Sequence, residues 1–152
     1  MHKEIIKIFL ILFFLFMPNT FLYSEGEYFL TLRNEKVNLR QGPSFKHPIK
    51  IFYKKKYLPV LIQDRSDNFR KIRDHENNSG WIHISQLSKK KAAISVDEGL
   101  IVFKNPTIYS KPLAILDKGR LCLVSKCEKE WCKIKVDNYK GWVKKNDLWG
   151  RL

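Results

Sequence analysis

From Glu25 onward the chain carries no sustained apolar repeat of helical period. Short runs rich in Val, Ile, Leu, Tyr and Phe are instead punctuated by Gly, Pro, Asn and Asp, the pattern of small all-β domains. It predicts strands over Val37–Arg40, Tyr57–Gln63, Phe69–Arg73 and Gly80–Ile84. A second set is predicted over Gly99–Phe103, Arg120–Cys127, Trp131–Val136 and Lys140–Lys144. Between the sets, the charged Ser88-Lys89-Lys90-Lys91 reads as linker.

The two sets align. Val37-Asn38-Leu39-Arg40-Gln41-Gly42-Pro43-Ser44 matches Leu100-Ile101-Val102-Phe103-Lys104-Asn105-Pro106-Thr107. Pro48–Phe52 matches Pro112–Leu116, Tyr57–Val60 matches Leu121–Val124, and Phe69–Ile72 matches Trp131–Ile134. Gly80-Trp81-Ile82 matches Gly141-Trp142-Val143, and Gln86-Leu87 matches Asp147-Leu148. An internal repeat of about 60 residues therefore sets the domain count at two. The expected boundaries are residues 25–88, a linker at 89–97, and residues 98–152. Units this small bury little core alone, so they are expected to pack together or to rely on a staple.

The first two dozen residues differ in kind. A short basic start containing Lys3 and Lys7 precedes the unbroken apolar run Ile8–Met17, which Pro18 and Asn19 end. Basic, apolar and then polar with a small residue is the layout of a cleavable secretory signal peptide, and the run is too short for an ordinary transmembrane helix. Residues 1–24 are assigned to it, with cleavage after Ser24 and an uncleaved anchor as the alternative. No Cys follows the run, so a lipoprotein anchor is not expected. The expected location is periplasmic or secreted.

The first repeat, V-N-L-R-Q-G-P-S through F-R-K-I, G-W-I and Q-L-S, resembles the bacterial SH3 (SH3b) family. Units of that family typically open V-N-V-R-x-G-P-S and close G-W-V-x-x-x-x-L. The second repeat departs at its opening, where Ile101 and Phe103 stand at the Asn38 and Arg40 positions. Its W-C-K-I…G-W-V…D-L-W-G ending is similar to the C-terminal repeat of small exported SH3-like proteins of α-proteobacteria. The resemblance implies two tandem small SH3-like β-barrels, five strands in each, with a non-catalytic binding role that is often at the cell wall.

Each motif residue also has a physical reading. Gly42-Pro43 suits a turn, because Pro presets φ and Gly accepts positive φ. Asn38 and Arg40 alternate with Val37 and Leu39, so both polar side chains share a face; they touch a ligand or, as we favour, brace the following loop. Gly80-Trp81 and Gly141-Trp142 place a large ring beside a small residue, and both rings are expected in the cores as the largest apolar burial available. Trp131 and Trp149 are candidates to face a groove.

Three cysteines fall in the second repeat. Cys127 and Cys132 flank the apparent hairpin turn Glu128–Trp131, where cross-strand neighbours can meet the separation a disulfide requires, and this pair is predicted to bridge. Cys122 and Cys127 would lie too far apart along one extended strand. Cys122 is expected to behave as a small buried or edge residue.

The formal charge of +14 falls only to +13 when Lys3, Lys7 and Glu4 are removed. Lys54-Lys55-Lys56 and Lys118-Gly119-Arg120 put positive charge on equivalent loops of the two repeats, suiting contact with anionic surfaces or simple solvation. Nucleic acid is not an expected partner outside the cytoplasm. The His residues show no metal-ligand spacing, and no nucleophile elbow, phosphate loop or zinc-protease motif occurs, so neither cofactor nor catalysis is expected. Two functions follow as expectations: a module recognising peptidoglycan or a peptide-like envelope partner, or an interaction subunit docking onto an envelope protein complex.

Overall fold

A computed structural model describes residues 26–152, all of them in strands, turns and two short 3-10 segments. The expected signal peptide lies outside the described residues. The first sheet holds β1 (Tyr28–Leu32), β2 (Val37–Arg40), β3 (Ile49–Tyr53), β4 (Pro59–Ser66), β5 (Phe69–Arg73), β6 (Ser79–His83) and β7 (Leu87–Ser88). The second holds β8 (Ala92–Ser95), β9 (Leu100–Phe103), β10 (Pro112–Leu116), β11 (Leu121–Glu128), β12 (Trp131–Val136), β13 (Tyr139–Lys144) and β14 (Leu148–Arg151).

Strand order is β3-β2-β6-β5-β4-β1-β7 in one sheet and β10-β9-β13-β12-β11-β8-β14 in the other. The orders are identical once seven is added to each number, so the repeat read from sequence is a repeat of topology. Even the irregularities recur. β4 against β5 skips a residue after Ile62, and β11 against β12 skips one after Val124. Such bulges increase local twist and help a small sheet to curl.

The all-β class with tandem SH3-like units is as expected, but two details need correction. Each sheet has seven strands, not five, because a strand precedes the opening motif and a short one follows the closing 3-10 turn. The 89–97 segment is not a linker. Ala92–Ser95 is the strand β8, buried throughout and paired with both β11 and β14. The carbonyls of Lys89, Lys90 and Lys91 accept bonds from Arg151, Thr31 and the Val124 N–H respectively. Basic side chains in solvent concealed a backbone whose carbonyls are all bonded.

Alternation along the strands builds each core. Val37 and Leu39 of β2, Ile72 of β5 and Ile82 of β6 point inward with Leu32 and Val60, all essentially inaccessible. The second core includes Val102, Cys122, Val124, Ile134 and Val143. Burial of each such aliphatic side chain stabilises by about 1.5–3 kcal/mol.

The expectation that Trp81 and Trp142 fill the cores is corrected for Trp81, which is only half-buried; Trp142 is buried, but on the face opposite Gly141. The inward neighbours are Gly80 and Gly141. A Cβ on Gly80 would lie 2.6 Å from the Arg40 carbonyl oxygen, and one on Gly141 would lie 2.6 Å from that of Phe103. Strand β6 crosses β2 there, and β13 crosses β9, so closely that only glycine fits inside. Alternation then turns both indoles outward. Trp81 is half-buried, and Trp142 is buried beneath Lys126 and Lys133, whose ammonium groups stand 5.6 and 5.9 Å from its ring centroid.

The two units pack together. Ile94, Leu121 and Trp149 of the second unit join the core of the first. Arg151 Nη1 donates to the Phe29 carbonyl at 2.8 Å, and the Phe29 and Trp149 rings meet edge to face at 4.8 Å.

Candidate functional site

The residues singled out in the sequence fall at four places. Asn38 and Arg40 lie on the outer face of β2. Arg40 Nη1 donates to the carbonyls of Phe45 (3.2 Å) and His47 (2.9 Å), and its guanidinium lies 5.4 Å from the Phe45 ring centroid. Arg40 thus braces the 41–48 loop. Asn38 is tied through its backbone N–H, which donates to Gln86 Oε1 at 3.3 Å. Gly42 lies under the His47 ring, and Pro43 continues the same loop half-buried. Phe45, Phe69 and His83 complete this corner, with ring centroids 5.0–5.2 Å apart.

Lys54 and Lys55 are exposed in the turn after β3, whereas Lys56 lies over the Tyr57 ring at 5.1 Å. A lysine-rich depression, about 420 Å³, forms where Lys89, Lys90, Lys91 and Lys135 surround Leu123 and Val124.

Trp131, half-buried at the start of β12, meets Phe103 edge to face at 5.7 Å. Phe103 in turn lines a groove of about 310 Å³ on the second barrel, with Ile101 and Ile108, bordered by Asp97, Glu98 and Asp147. Sequence reasoning named Trp131 but not the groove beside it.

Trp149 occupies a different setting. It forms one wall of a cleft between the barrels, about 240 Å³, with Arg73 and His75 of the first barrel and Lys118 and Gly119 of the second. The His75 and Trp149 ring centroids are 6.3 Å apart. Ile94 contributes apolar floor, and Arg73 is steadied by donating to Asn77 Oδ1 at 2.9 Å. The cleft thus joins an indole, a guanidinium, an ammonium and an imidazole contributed by three separate stretches of chain. Domain interfaces are favoured places for ligand sites of this kind.

The chemistry outside these surfaces is structural. Asp74 is 1% exposed and accepts from Tyr53 Oη (2.8 Å), the N–H groups of Glu76 and Asn78 (3.0 and 2.8 Å) and Asn78 Nδ2 (3.0 Å). It locks the β5–β6 turn, in which Asn77 adopts a φ of 65°. Burial, reinforced by the hydrogen bond to Asp74, holds the Tyr53 phenol above its ordinary range. Sequence reasoning missed this pair; the Asp74-x-x-x-Asn78 spacing at a turn was its only local sign.

Cys127 and Cys132 form the predicted disulfide as directly opposed partners of β11 and β12, with Cα atoms 4.0 Å apart. Cys122 is a buried free thiol. Among the described residues, no group of three His, Cys, Asp or Glu side chains could hold a metal ion. No helix among them is long and apolar enough to cross a membrane.

Two curled antiparallel sheets with matching order, each closed over a glycine crossing, define tandem SH3-type barrels. The bacterial SH3 domain family model matches residues 33–89 and again residues 96–150. The chain belongs to this family, with two copies in tandem, and bacterial SH3 domains are binding modules. Among solved structures it is similar to NlpC2 from Trichomonas vaginalis, at 14% identity over 84% of this chain and 49% of that one, with a TM-score of 0.38. It is likewise similar to an NlpC/P60 family protein from Bacillus cereus, at 13% identity over 80% of this chain and 56% of that one, with a TM-score of 0.37. The chain thus spans about half the length of these solved proteins. No curated protein matches the sequence.

Proposed function

We propose that this chain is an exported, non-catalytic binding protein of the cell envelope that holds peptidoglycan in the cleft between its two barrels. The observation that carries this reading is the meeting of Trp149 with Arg73, His75 and Lys118. A sugar ring packs well against an indole, and carboxylates borne by a glycan or its peptide pair with guanidinium and ammonium groups. Cell-wall polymer offers both chemistries in one repeating unit. The excess of basic residues raises its local concentration near the protein, and the lysine-rich depression at Lys89–Lys91 adds weak contacts on the same chain. An apolar run ahead of the barrels, in the layout of a signal peptide, would deliver the protein to that polymer.

The test is co-sedimentation of the exported form with purified sacculi across a salt series. Binding is expected to persist at moderate salt and to weaken about tenfold or more in the Arg73→Gln, Lys118→Gln double variant. Loss of binding at moderate salt, or equal binding by the double variant, would reduce the interaction to diffuse charge.

A further inference from the structure

The second barrel carries a groove whose chemistry is opposite to that of the cleft, and the difference between the repeats explains how it arose. At four aligned positions the first barrel has Arg40, Phe45, Phe69 and His83, and the second has Phe103, Ile108, Trp131 and Lys144. In the first barrel these side chains close upon one another, with Arg40 bonded to the loop carbonyls and three rings in mutual contact. In the second barrel Phe103 replaces the bracing arginine and packs against Trp131. The loop residue Ile108, 53% exposed against 63% for Phe45, carries no ring to stack, and a groove of about 310 Å³ lies beside it.

Its walls are aliphatic and its rim is acidic. Ile101, 38% exposed, stands where the first barrel has Asn38, and its cross-strand partner Ile115 is 70% exposed. Asp97, Glu98 and Asp147 border the groove, with Lys144 as the basic residue of its lining. Glu98 is held in place because its Oε2 accepts from the Lys118 N–H at 3.1 Å. A chain of formal charge +14 therefore concentrates carboxylates around its exposed aliphatic patch. Beyond a Debye length of about 8–10 Å the general positive charge is screened, so the local sign governs what docks.

We propose that this groove docks a short peptide segment of a partner protein in which an apolar side chain stands next to a lysine or arginine. The apolar side chain fills the space between Ile101, Phe103 and Ile108, and the cationic neighbour meets the Asp97, Glu98 and Asp147 carboxylates. The volume is near the lower end of the range for ligand pockets, which suits one or two side chains of a segment. An anionic wall polymer is disfavoured by the same carboxylates. The groove is distinct from the inter-barrel cleft, so the protein could hold polymer and partner at once.

The experiment uses fluorescein-labelled hexapeptides built on Gly-Ile-Lys-Leu-Lys-Gly, read by fluorescence polarisation and by chemical-shift mapping on the exported form. The lysine peptide is expected to bind about tenfold or more tightly than its Lys→Glu counterpart and to shift the resonances of Ile101 and Ile108. Two variants are each expected to weaken it at least about fivefold: I101N/F103R, which restores the residues of the first repeat, and D97N/E98Q, which keeps the shape and removes charge. Both are expected to retain sacculus binding, which separates this site from the cleft. Equal binding of the two peptides, shifts confined to other surfaces, or undiminished binding by D97N/E98Q would overturn the proposal. So would displacement of the peptide from the groove by soluble wall fragments, which would make the wall its occupant.

Discussion

Gly150 is where the packing of the two barrels is most exposed to a single-atom change. It sits next to Trp149 on β14, opposite Ala93 of β8, at a φ of +150°. A Cβ placed there would lie 2.5 Å from the Ala92 carbonyl oxygen, 2.7 Å from Ala93 Cα and 3.0 Å from Pro59 Cβ across the barrel interface. Two costs add in Gly150→Ala. Backbone in this nearly glycine-only region is strained by about 1–3 kcal/mol for an L-residue. Forcing backbone atoms apart in a closely packed interface costs about 1–3 kcal/mol more. The expected loss is thus about 2–6 kcal/mol, a large part of the 5–15 kcal/mol typical of a whole domain. Gly99→Ala separates the two terms, because Gly99 also has a positive φ, +71°, but nothing lies within 4 Å of its Cβ position. It should cost only about 1–2 kcal/mol. Urea unfolding followed by tryptophan fluorescence and far-ultraviolet circular dichroism measures both. If Gly150→Ala costs no more than Gly99→Ala, the tight approach of β14 to β8 and to Pro59 is wrong. The inter-barrel cleft would then lose its rigid wall.

Two further outcomes are expected. Asp74→Ala leaves the buried Tyr53 hydroxyl and the turn N–H groups without their acceptor and should cost about 2–4 kcal/mol, whereas Tyr53→Phe should cost about 1 kcal/mol because Asp74 keeps its other donors; urea titrations showing the reverse order would refute the turn lock. Burial pushes the Cys122 thiol up from 9.0 to about 11, with Arg120 pulling weakly the other way. The unfolded chain therefore gives up this proton first as pH rises, so the contribution to stability is complete below about pH 9 and declines between about pH 9 and 11. Cys122→Ala should flatten that decline relative to the wild type, and parallel slopes for the two proteins would show that the thiol is not linked to folding.

The repeat, the all-β class and the Cys127–Cys132 hairpin were legible because each rests on local pattern: alternation, turn residues and a four-residue gap between cysteines. Of the strands that went unseen, β8 lacks such a pattern. β8 is only Ala92-Ala93-Ile94-Ser95, entered directly from three lysines, and its burial comes from being covered by β11, β14 and the first barrel. The misplaced Trp81 has a sharper cause. In a strand, Gly80 and Trp81 face opposite sides, and size alone argues for burying the indole. The crossing of β2 over β6 reverses that choice, since a carbonyl 2.6 Å from the Gly80 Cβ position excludes any side chain inside. Likewise Arg73, Lys118 and Trp149 have no common sequence signal, because only the docking of one barrel on the other unites them.

The alignment of the repeats does hold one functional clue that neither repeat holds alone. Topology, bulges and the glycine crossing are preserved between the barrels, so the scaffold places the same demands on both. On the outer face of β2 and β9, away from the cores, the residues diverge in a concerted way: Asn38 to Ile101 and Arg40 to Phe103, together with Phe45 to Ile108 in the loop they face. Exposing aliphatic side chains on a small, lysine-rich barrel works against solubility unless something covers them. Loss of the Arg40 brace also removes two hydrogen bonds that hold the corresponding loop in the first barrel. Both changes weaken the isolated barrel, and both are explained if the second barrel exchanged a braced corner for a docking groove while the first kept its structural role.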